Sequence, residues 1–600
     1  MSILVTDITW TRTYLEVDYE CDEGDELELY RVAEQKFVAF QNERTADGAG
    51  REKVHAVVNV VIAGNREPLD AGDWILCTRF SEELLANEGA LFEQNPYLHV
   101  RARAHVMKHM NPWESKEDED LVERRTFEQR FDIIARNPYN THDIVYKDEV
   151  LEKLGSLAQV FRYGGGQFVY TASLIPRSDS VDYPYVVLSL GFYKRNKKPR
   201  ITKRSVRFKD VIRTWEKRAF TGIGSLFAAF SAKTDKRVLF LKVNGSRPTP
   251  NMAAVRDRMI ERGLDKEFDI VERYRNIFGQ PLQNPFSLLK DVWQITHSDY
   301  IFIDDYCPIF NFIKLRKGTV LTQIWHAGVG FKSVGYARFG IGGSPHPYNS
   351  VHRAYTYALV GNEHLRQVYS EVFGIEEEAL LATGMPRLDH FLEPGAEEAA
   401  KNRLEARYPW MREGKVVLFA PTFRGAGQRS AYYPYETFID MEGIYKACEK
   451  ANCYFVFKMH PFIQEAPEIP EAFNGRIFDL SKEDITELYY ASDVLVTDYS
   501  SCFYDYLLLK KPVIFYVPDK VVYSVTRGVQ RTVDEMAPGL VCETFDDFMH
   551  AIESGDYSSV EPHPSCLDRK LEGGMLACDR VIDTVLLGKD VPGVRVPAEK

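Results

Sequence analysis

Residues Ala491–Asp519, ASDVLVTDYSSCFYDYLLLKKPVIFYVPD, read as strand, tight polar turn, helix and strand. The apolar run Val494–Val496 ends in Thr497-Asp498-Tyr499-Ser500-Ser501. A helix-like stretch then runs to Lys510, and Pro512 precedes a second apolar run, Val513–Val517. Apolar runs this short, with a helix between them, are the pattern of parallel strands buried on both faces. Open sheets of that kind collect ligands beyond the carboxyl ends of their strands. A hydroxyl pair opening a helix meets free backbone N–H groups and the positive end of the helix dipole, which favour an anion such as phosphate. The competing reading is that Asp498 or Ser500 simply caps the helix.

The same texture extends on both sides. From about residue 236, strand-like runs (Arg237–Val243, His297–Ile303, Val320–His326, Tyr355–Val360, Leu380–Thr383) alternate with helical segments such as Asn251–Arg262 and Asn362–Phe373. An acidic, then helical stretch, Glu393–Trp410, separates them from a second set: Lys415–Ala420, Cys453–His460, Asp493–Thr497 and Val513–Val517. Two consecutive sets predict two doubly wound α/β lobes, 236–395 and 396–555, facing across a cleft. A tail, 556–600, carries a closing helix near Met575–Leu587. Residues 1–195 differ: alternation in Tyr14–Tyr19, Val54–Ile62, Tyr97–Val106 and Phe168–Leu174, broken by turn clusters, predicts antiparallel, sandwich-like modules. Residues 196–235 form a linker. Within Lys194–Arg218 positive residues crowd, opposed only by Asp210 and Glu216, while Phe208, Val211, Ile212 and Trp215 keep helical spacing. Such a helix suits an anionic membrane surface. It equally suits a linker docked on its own domain, since Gly222 and Gly224 interrupt the apolar pattern.

Six hundred residues exceed what one core supports, and 45% hydrophobic content is enough for several. The net charge of -12 argues against a nucleic-acid coat. Nine scattered cysteines with no Cys-x-x-Cys pair fit a reducing compartment and argue against a zinc framework. The start, MSILVTDITWTRTYLEVDYE, lacks a basic segment followed by an apolar core, and no run of about 18 apolar residues occurs, so a cytoplasmic protein is expected.

Several strand ends carry residues that phosphate chemistry needs. Leu321–Trp325 ends at His326, followed by Ala327-Gly328-Val329-Gly330; Val416–Ala420 leads into Pro421-Thr422-Phe423-Arg424-Gly425; Tyr454–Met459 ends at His460-Pro461. Lys458 and His460, two apart on a strand, are expected on one face. Singly, a strand-end histidine is more often structural and the arginine is ordinary surface. Jointly they place His, Arg, Lys/His and Ser/Ser at four strand ends around one cleft.

Residues 236–545 resemble the CDP-glycerol glycerophosphotransferase family of teichoic-acid synthesis. The matching pieces are QIWHAGVGFKSVG (Gln323–Gly335), APTFRG (Ala420–Gly425), KMHPF (Lys458–Phe462), ASDVLVTDYSS (Ala491–Ser501), KKPVIFYVPD (Lys510–Asp519) and RGVQRTVDEMAPG (Arg527–Gly539). The β-rich start is similar, more loosely, to the accessory modules that precede this domain. The resemblance implies a GT-B-type fold with two Rossmann-like lobes. It implies transfer of glycerol phosphate, or in some members ribitol phosphate, from CDP-glycerol or CDP-ribitol to a hydroxyl on a lipid-linked polyprenyl-diphosphate saccharide, releasing CMP. It makes His326 and His460 the counterparts of the family's two essential histidines and matches Ser500 and Ser501 to its phosphate-contacting turn. Where many members read Trp-His-Gly-Thr-Pro, this chain has Trp325-His326-Ala327-Gly328-Val329, which bears on donor or acceptor identity more than on catalysis.

On this reading His326 takes the acceptor hydroxyl's proton, as an imidazole suits near neutral pH. His460 and Lys458 contact the donor phosphates, assisted by Arg424, Asp498 and the Ser500-Ser501 turn. Arg527 and Asp534 bind donor or brace the lobe. Gly328, Lys332, Gly342 and Gly343, in and near the glycine-rich loop Gly340–Pro347, lie on the acceptor side. No cofactor is expected to be tightly bound. Asp304-Asp305 ends a strand, but neighbours on a strand face opposite ways, so any Mg²⁺ is expected to travel with the donor. The protein is expected at the inner face of the cell membrane, held peripherally. The rivals are a nucleotide-sugar glycosyltransferase of the same architecture and a non-catalytic wall-polymer-binding protein.

Overall fold

A computed structural model of the chain describes residues 3–22, 24–46, 51–79, 139–141, 143–178, 184–194, 221–231, 236–275, 285–559, 575–592 and 594, with scattered positions between 103 and 128. Within 285–559 it leaves out 312, 327–332, 340–343, 349 and 426–429. The chain divides into two compact units: Met1–Lys198 with His346–Tyr348, and Pro199–Pro345 with Asn349–Lys600.

Among the described residues the first unit holds two sheets. One runs Gln41–Ala46, Glu52–Asn59, Tyr14–Cys21, Ile3–Thr11, Ile144–Tyr146; its pairs are antiparallel except the last, which is parallel. The other runs Ala158–Tyr163, Phe168–Ser178, Pro184–Lys194, Gly72–Arg79, Glu28–Arg31, Lys36–Ala39, all antiparallel. Alternation does what the sequence predicts: in Tyr14–Cys21 the side chains of Leu15, Val17, Tyr19 and Cys21 are buried and those between them partly exposed. The strand expected over Tyr97–Val106 does not hold where it is described, because Arg103 and Val106 are helical and Val106 packs on Val122. The basic segment beyond Lys194 lies outside the described residues. Its apolar sequel is a helix over 221–230, in which Phe227 packs on the core while Leu226 and Phe230 are exposed.

The second unit contains two six-stranded sheets, every pair parallel. The N-terminal lobe's sheet runs Asp269–Tyr274, Arg237–Lys242, Tyr300–Ile303, Val320–Gln323, Tyr357–Leu359, Leu380–Leu381. The C-terminal lobe's sheet runs Ile477–Asp479, Cys453–Phe457, Lys415–Phe419, Val494–Thr497, Val513–Tyr516, Leu540–Cys542. In chain order the second is 3-2-1-4-5-6, the dinucleotide-fold order, whose crevice opens between its first and fourth strands. The central strands are buried on both faces, as their unbroken apolar runs require.

The lobes share one core: Leu365, Tyr369 and Met385 of the first lie in the same buried cluster as Phe503, Tyr504 and Tyr523 of the second. Polar ties cross as well: Arg387 to Asp505 at 2.5 Å, Arg531 to Glu371 at 3.1 Å, and the Gln530 side-chain amide to the Val368 carbonyl at 2.8 Å. The closing helix is found at Ala577–Val581 and continues as a wider turn through Leu586. It returns to the N-terminal lobe, where Arg258 and Arg262 pair with Asp579 and Asp583, and Asp389 accepts the N–H groups of Ala577 and Cys578 at 2.8 Å.

One buried group in that lobe makes its stability depend on pH. His352 packs among Tyr306, Tyr355 and Phe373, and burial lowers its pKa from 6.5 to about 3. The unfolded chain therefore binds a proton the folded one refuses, and stability falls as pH drops below 6.5 toward 3. Full coupling is worth about 1.4 kcal/mol per pH unit. Urea midpoints between pH 7.5 and 5 should fall more steeply for the wild type than for His352→Gln; parallel slopes would refute it.

Candidate active site

The crevice at the C-terminal lobe's switch point is framed by the segments after strands Lys415–Phe419 and Val494–Thr497. Residues beyond three adjacent strands are clasped there by one guanidinium. Arg424 donates from Nε and Nη2 to both oxygens of Asp519 (2.6 and 2.9 Å), and from Nη1 to Asp498 Oδ2 and the Thr422 carbonyl (2.8 Å each). Asp498 Oδ1 takes the Thr422 N–H at 2.7 Å. The rings of Tyr433, Tyr499 and Tyr523 stand within 5.7 Å of the guanidinium. Burial opposes the charge, yet Asp498 and Asp519 outweigh it and raise the arginine's pKa. Arg424 and Asp498 thus meet each other beneath the turn, with four of the five guanidinium N–H groups taken.

Above this clasp the turn follows the sequence reading. Ser500 Oγ accepts the N–H of Cys502, the first residue of the helix Cys502–Tyr506, at 3.4 Å. Ser501 occupies the N-cap position itself, with no side-chain cap bond of its own. Both serines are partly exposed.

His460 lies just past strand Cys453–Phe457, partly buried, its ring against Phe423 (4.9 Å) and Phe462 (4.7 Å). Its Nδ1 accepts the Phe462 N–H at 3.1 Å. An accepting Nδ1 leaves the neutral ring's proton on Nε2, which is a donor. Lys458 is not aligned with it as a strand pair, because the strand ends at Phe457. Its ammonium donates to the Ser481 carbonyl at 2.7 Å, and burial lowers its pKa against the pull of Asp484, Asp479 and Glu483. Arg527 lies over the Phe423 ring at 5.2 Å and donates to the Gly425 carbonyl at 2.9 Å. Asp534 is exposed and pairs with Lys520 at 2.8 Å, the bracing alternative.

In the N-terminal lobe, His326 follows strand Val320–Gln323 beside the lobe's own switch point, between Arg237–Lys242 and Tyr300–Ile303. It is exposed, and its Nδ1 lies 3.1 Å from the backbone carbonyl of Asp304. A carbonyl only accepts, so Nδ1 carries the proton and the neutral ring's lone pair is on Nε2. The two histidines therefore have opposite tautomers, one basic at Nε2 and one donating there. The Asp304 carboxyl beneath is pushed up by burial, opposed by the Thr249 hydroxyl, Lys242 and His326. The chain leaving His326 reaches the other lobe by Ser333, whose N–H donates to the Gly528 carbonyl at 3.1 Å. Gly328, Lys332, Gly342 and Gly343 lie outside the described residues. Among the described residues, no group of three or more His, Cys, Asp or Glu is arranged to hold a metal.

Two groups escaped the sequence reading. Arg338 donates to the Ser333 carbonyl, and burial, then the charge of Arg527 in the other lobe, lowers its pKa. Arg387 stood in the visible Gly-Met-Pro-Arg sequence, but its partner Asp505 is 118 residues on.

Residues 225–564 match the family described as CDP-Glycerol:Poly(glycerophosphate) glycerophosphotransferase. The chain is 37% identical over 306 residues to the teichoic acid poly(ribitol-phosphate) polymerase of Bacillus spizizenii, covering 50% of this chain and 49% of that one. It is 32% identical over 371 residues to the teichoic acid ribitol-phosphate polymerase TarL of Staphylococcus aureus, covering 60% and 65%. The match thus spans about half to two thirds of these relatives' own lengths. A solved structure of the wall teichoic acid polymerase TagF aligns with 63% of this chain and 96% of that one, at 18% identity and a TM-score of 0.48. No helix among the described residues is long and apolar enough to cross a membrane. With more than half its length matched, the chain belongs to the CDP-glycerol:poly(glycerophosphate) glycerophosphotransferase family.

Proposed function

We propose that this protein transfers an alditol phosphate from a CDP-alditol to a hydroxyl of a polyprenyl-diphosphate-linked wall-polymer acceptor, releasing CMP. The observation that carries the reading is the pair of opposite histidine tautomers, a base on one lobe and a donor on the other. The acceptor oxygen attacks the phosphorus that bears the alditol, and His326 Nε2 takes its proton. The bond from that phosphorus to the CMP oxygen breaks, and CMP leaves with the electron pair. His460 Nε2–H and the Ser500-Ser501 turn steady the diphosphate's charge, as preorganised donors do. Arg527 and Arg338 add positive charge from the two lobes. Arg424, Asp498 and Lys458 shape the crevice, with Asp534 bracing its rim. A divalent cation, where one takes part, arrives on the donor.

The donor is CDP-ribitol ahead of CDP-glycerol, a choice supported by the ribitol-phosphate activity in the names of the two relatives above. The acceptor places the enzyme peripherally on the inner face of the membrane, on anionic lipid. One assay checks both: a synthetic lipid acceptor in anionic vesicles is offered each CDP-alditol and several nucleotide sugars, the products are weighed by mass spectrometry, and the vesicles are floated. The reading expects ribitol-phosphate increments, CMP, and protein in the floated fraction. Sugar increments with UDP or GDP release would make it a glycosyltransferase, and polymer binding without turnover a binding protein.

A further inference from the structure

The residue that aims His326 is strained. Trp325 has φ +49°, in the left-handed region that a bulky L-residue rarely adopts. Such a bend persists only where its surroundings over-determine it. Both backbone polar groups of Trp325 are held by side chains: its N–H donates to Gln323 Oε1 at 3.0 Å, and its carbonyl accepts from Asn251 Nδ2 at 2.5 Å. The indole is 4% exposed, edge-on to Phe373 at 5.3 Å and against the His326 imidazole at 4.4 Å.

Asn251 is itself fixed. It lies in the first turn of helix Pro250–Glu261, 2% exposed, behind the Thr249 cap. Its Oδ1 accepts the Arg387 N–H at 2.8 Å. One end of the carboxamide must accept and the other donate, so its orientation is determined. Arg387 then reaches across the lobes to Asp505, which lies on the helix that Ser500 and Ser501 open. A path of hydrogen bonds, continued by the Arg387 side chain, runs from the bend before His326 to Asp505 on the helix that follows the serine turn.

We propose that Asn251 is a positioning residue: its carboxamide holds the Trp325 carbonyl, keeps the left-handed bend that aims His326, and through Arg387 ties that bend to the helix bearing the Ser500-Ser501 turn. This rests on the reading of His326 as the base. Asn251 touches no substrate in this account and acts through the imidazole.

The test uses Asn251→Asp, which keeps the volume but turns a carboxylate oxygen on the Trp325 carbonyl. CMP release by the full chain should lose about 10- to 100-fold in kcat, as for other groups that orient a reacting side chain. The donor KM should stay within about threefold, the split expected when only the transition state suffers. In a His326→Ala background the same substitution should change the residual rate by less than about twofold, because its effect passes through His326. An unchanged kcat, a KM-only effect, or the same loss in both backgrounds overturns the proposal. If Asn251→Asp is not recovered folded, Asn251→Ala is read against the same criteria. Failure of the base assignment is distinguishable, since His326→Ala would then turn over normally by itself.

Discussion

On the proposed function, His326→Ala should lower CMP release from a CDP-alditol by about 10²–10⁴-fold in kcat and leave donor binding intact, the range typical of a lost general base. His460→Ala should cost a comparable factor but also weaken donor binding. The difference follows from the tautomers. His326 offers a lone pair at Nε2 because its Nδ1 proton is taken by the Asp304 carbonyl. That lone pair is needed only when the hydroxyl loses its proton. His460 offers an N–H at Nε2 because its Nδ1 is occupied by the Phe462 amide, and on the proposed function such a donor would face diphosphate in the ground state as well as at the transition state. Steady-state kinetics with CMP as the measured product decides. Equal kcat/KM in the wild type and in both variants would remove the histidines from the chemistry.

Arg424→Met should destabilise the C-terminal lobe by about 3–5 kcal/mol, the usual cost of removing one partner from a buried charge cluster. The substitution leaves Asp498, 1% exposed, and Asp519, 11% exposed on its side chain, without their shared cation. It also frees the segments after strands Lys415–Phe419, Val494–Thr497 and Val513–Tyr516 from one another. Arg424→Lys should recover little, because an ammonium cannot reproduce the two-pronged grip on Asp519 while reaching Asp498 and the Thr422 carbonyl. Denaturant unfolding followed on the C-terminal lobe measures it. A loss below about 1 kcal/mol would mean that the guanidinium is a surface group free to meet phosphate.

The lobes were legible because their central strands are buried on both faces and must be continuously apolar. Cys453–Phe457, CYFVF, is such a strand, every residue buried. Edge strands are not bound by that rule. Asp269–Tyr274, DIVERY, is half-buried and mostly polar, and Ile477–Asp479 and Leu540–Cys542 are three residues long, so none announced itself. The return of the closing helix to the N-terminal lobe rests on ion pairs such as Arg258–Asp579, 321 residues apart, which no local pattern encodes.

In the crevice, residue type was legible and partnership was not. Arg424 after a strand looks the same in sequence whether it meets phosphate or carboxylate, and Asp519, 95 residues later, decides. The proton positions on the two imidazoles depend on a backbone carbonyl and a backbone amide, which carry no sequence signal. Nor does the left-handed bend at Trp325, since tryptophan is not a residue that favours it. The serine turn was legible because such bonding is local: Ser500 Oγ takes the N–H of Cys502, two residues on.

The central claim is spatial: one donor diphosphate is held between His460 and the Ser500-Ser501 turn, with His326 presented from the other lobe. Crystals of the His326→Ala variant soaked with CDP-ribitol test it directly. The account predicts the diphosphate within hydrogen-bond reach of His460 Nε2 and of the Ser500-Ser501 turn, with the alditol-bearing phosphorus turned toward the position of the missing imidazole. Nucleotide bound elsewhere, with the serine turn and His460 untouched, would contradict it.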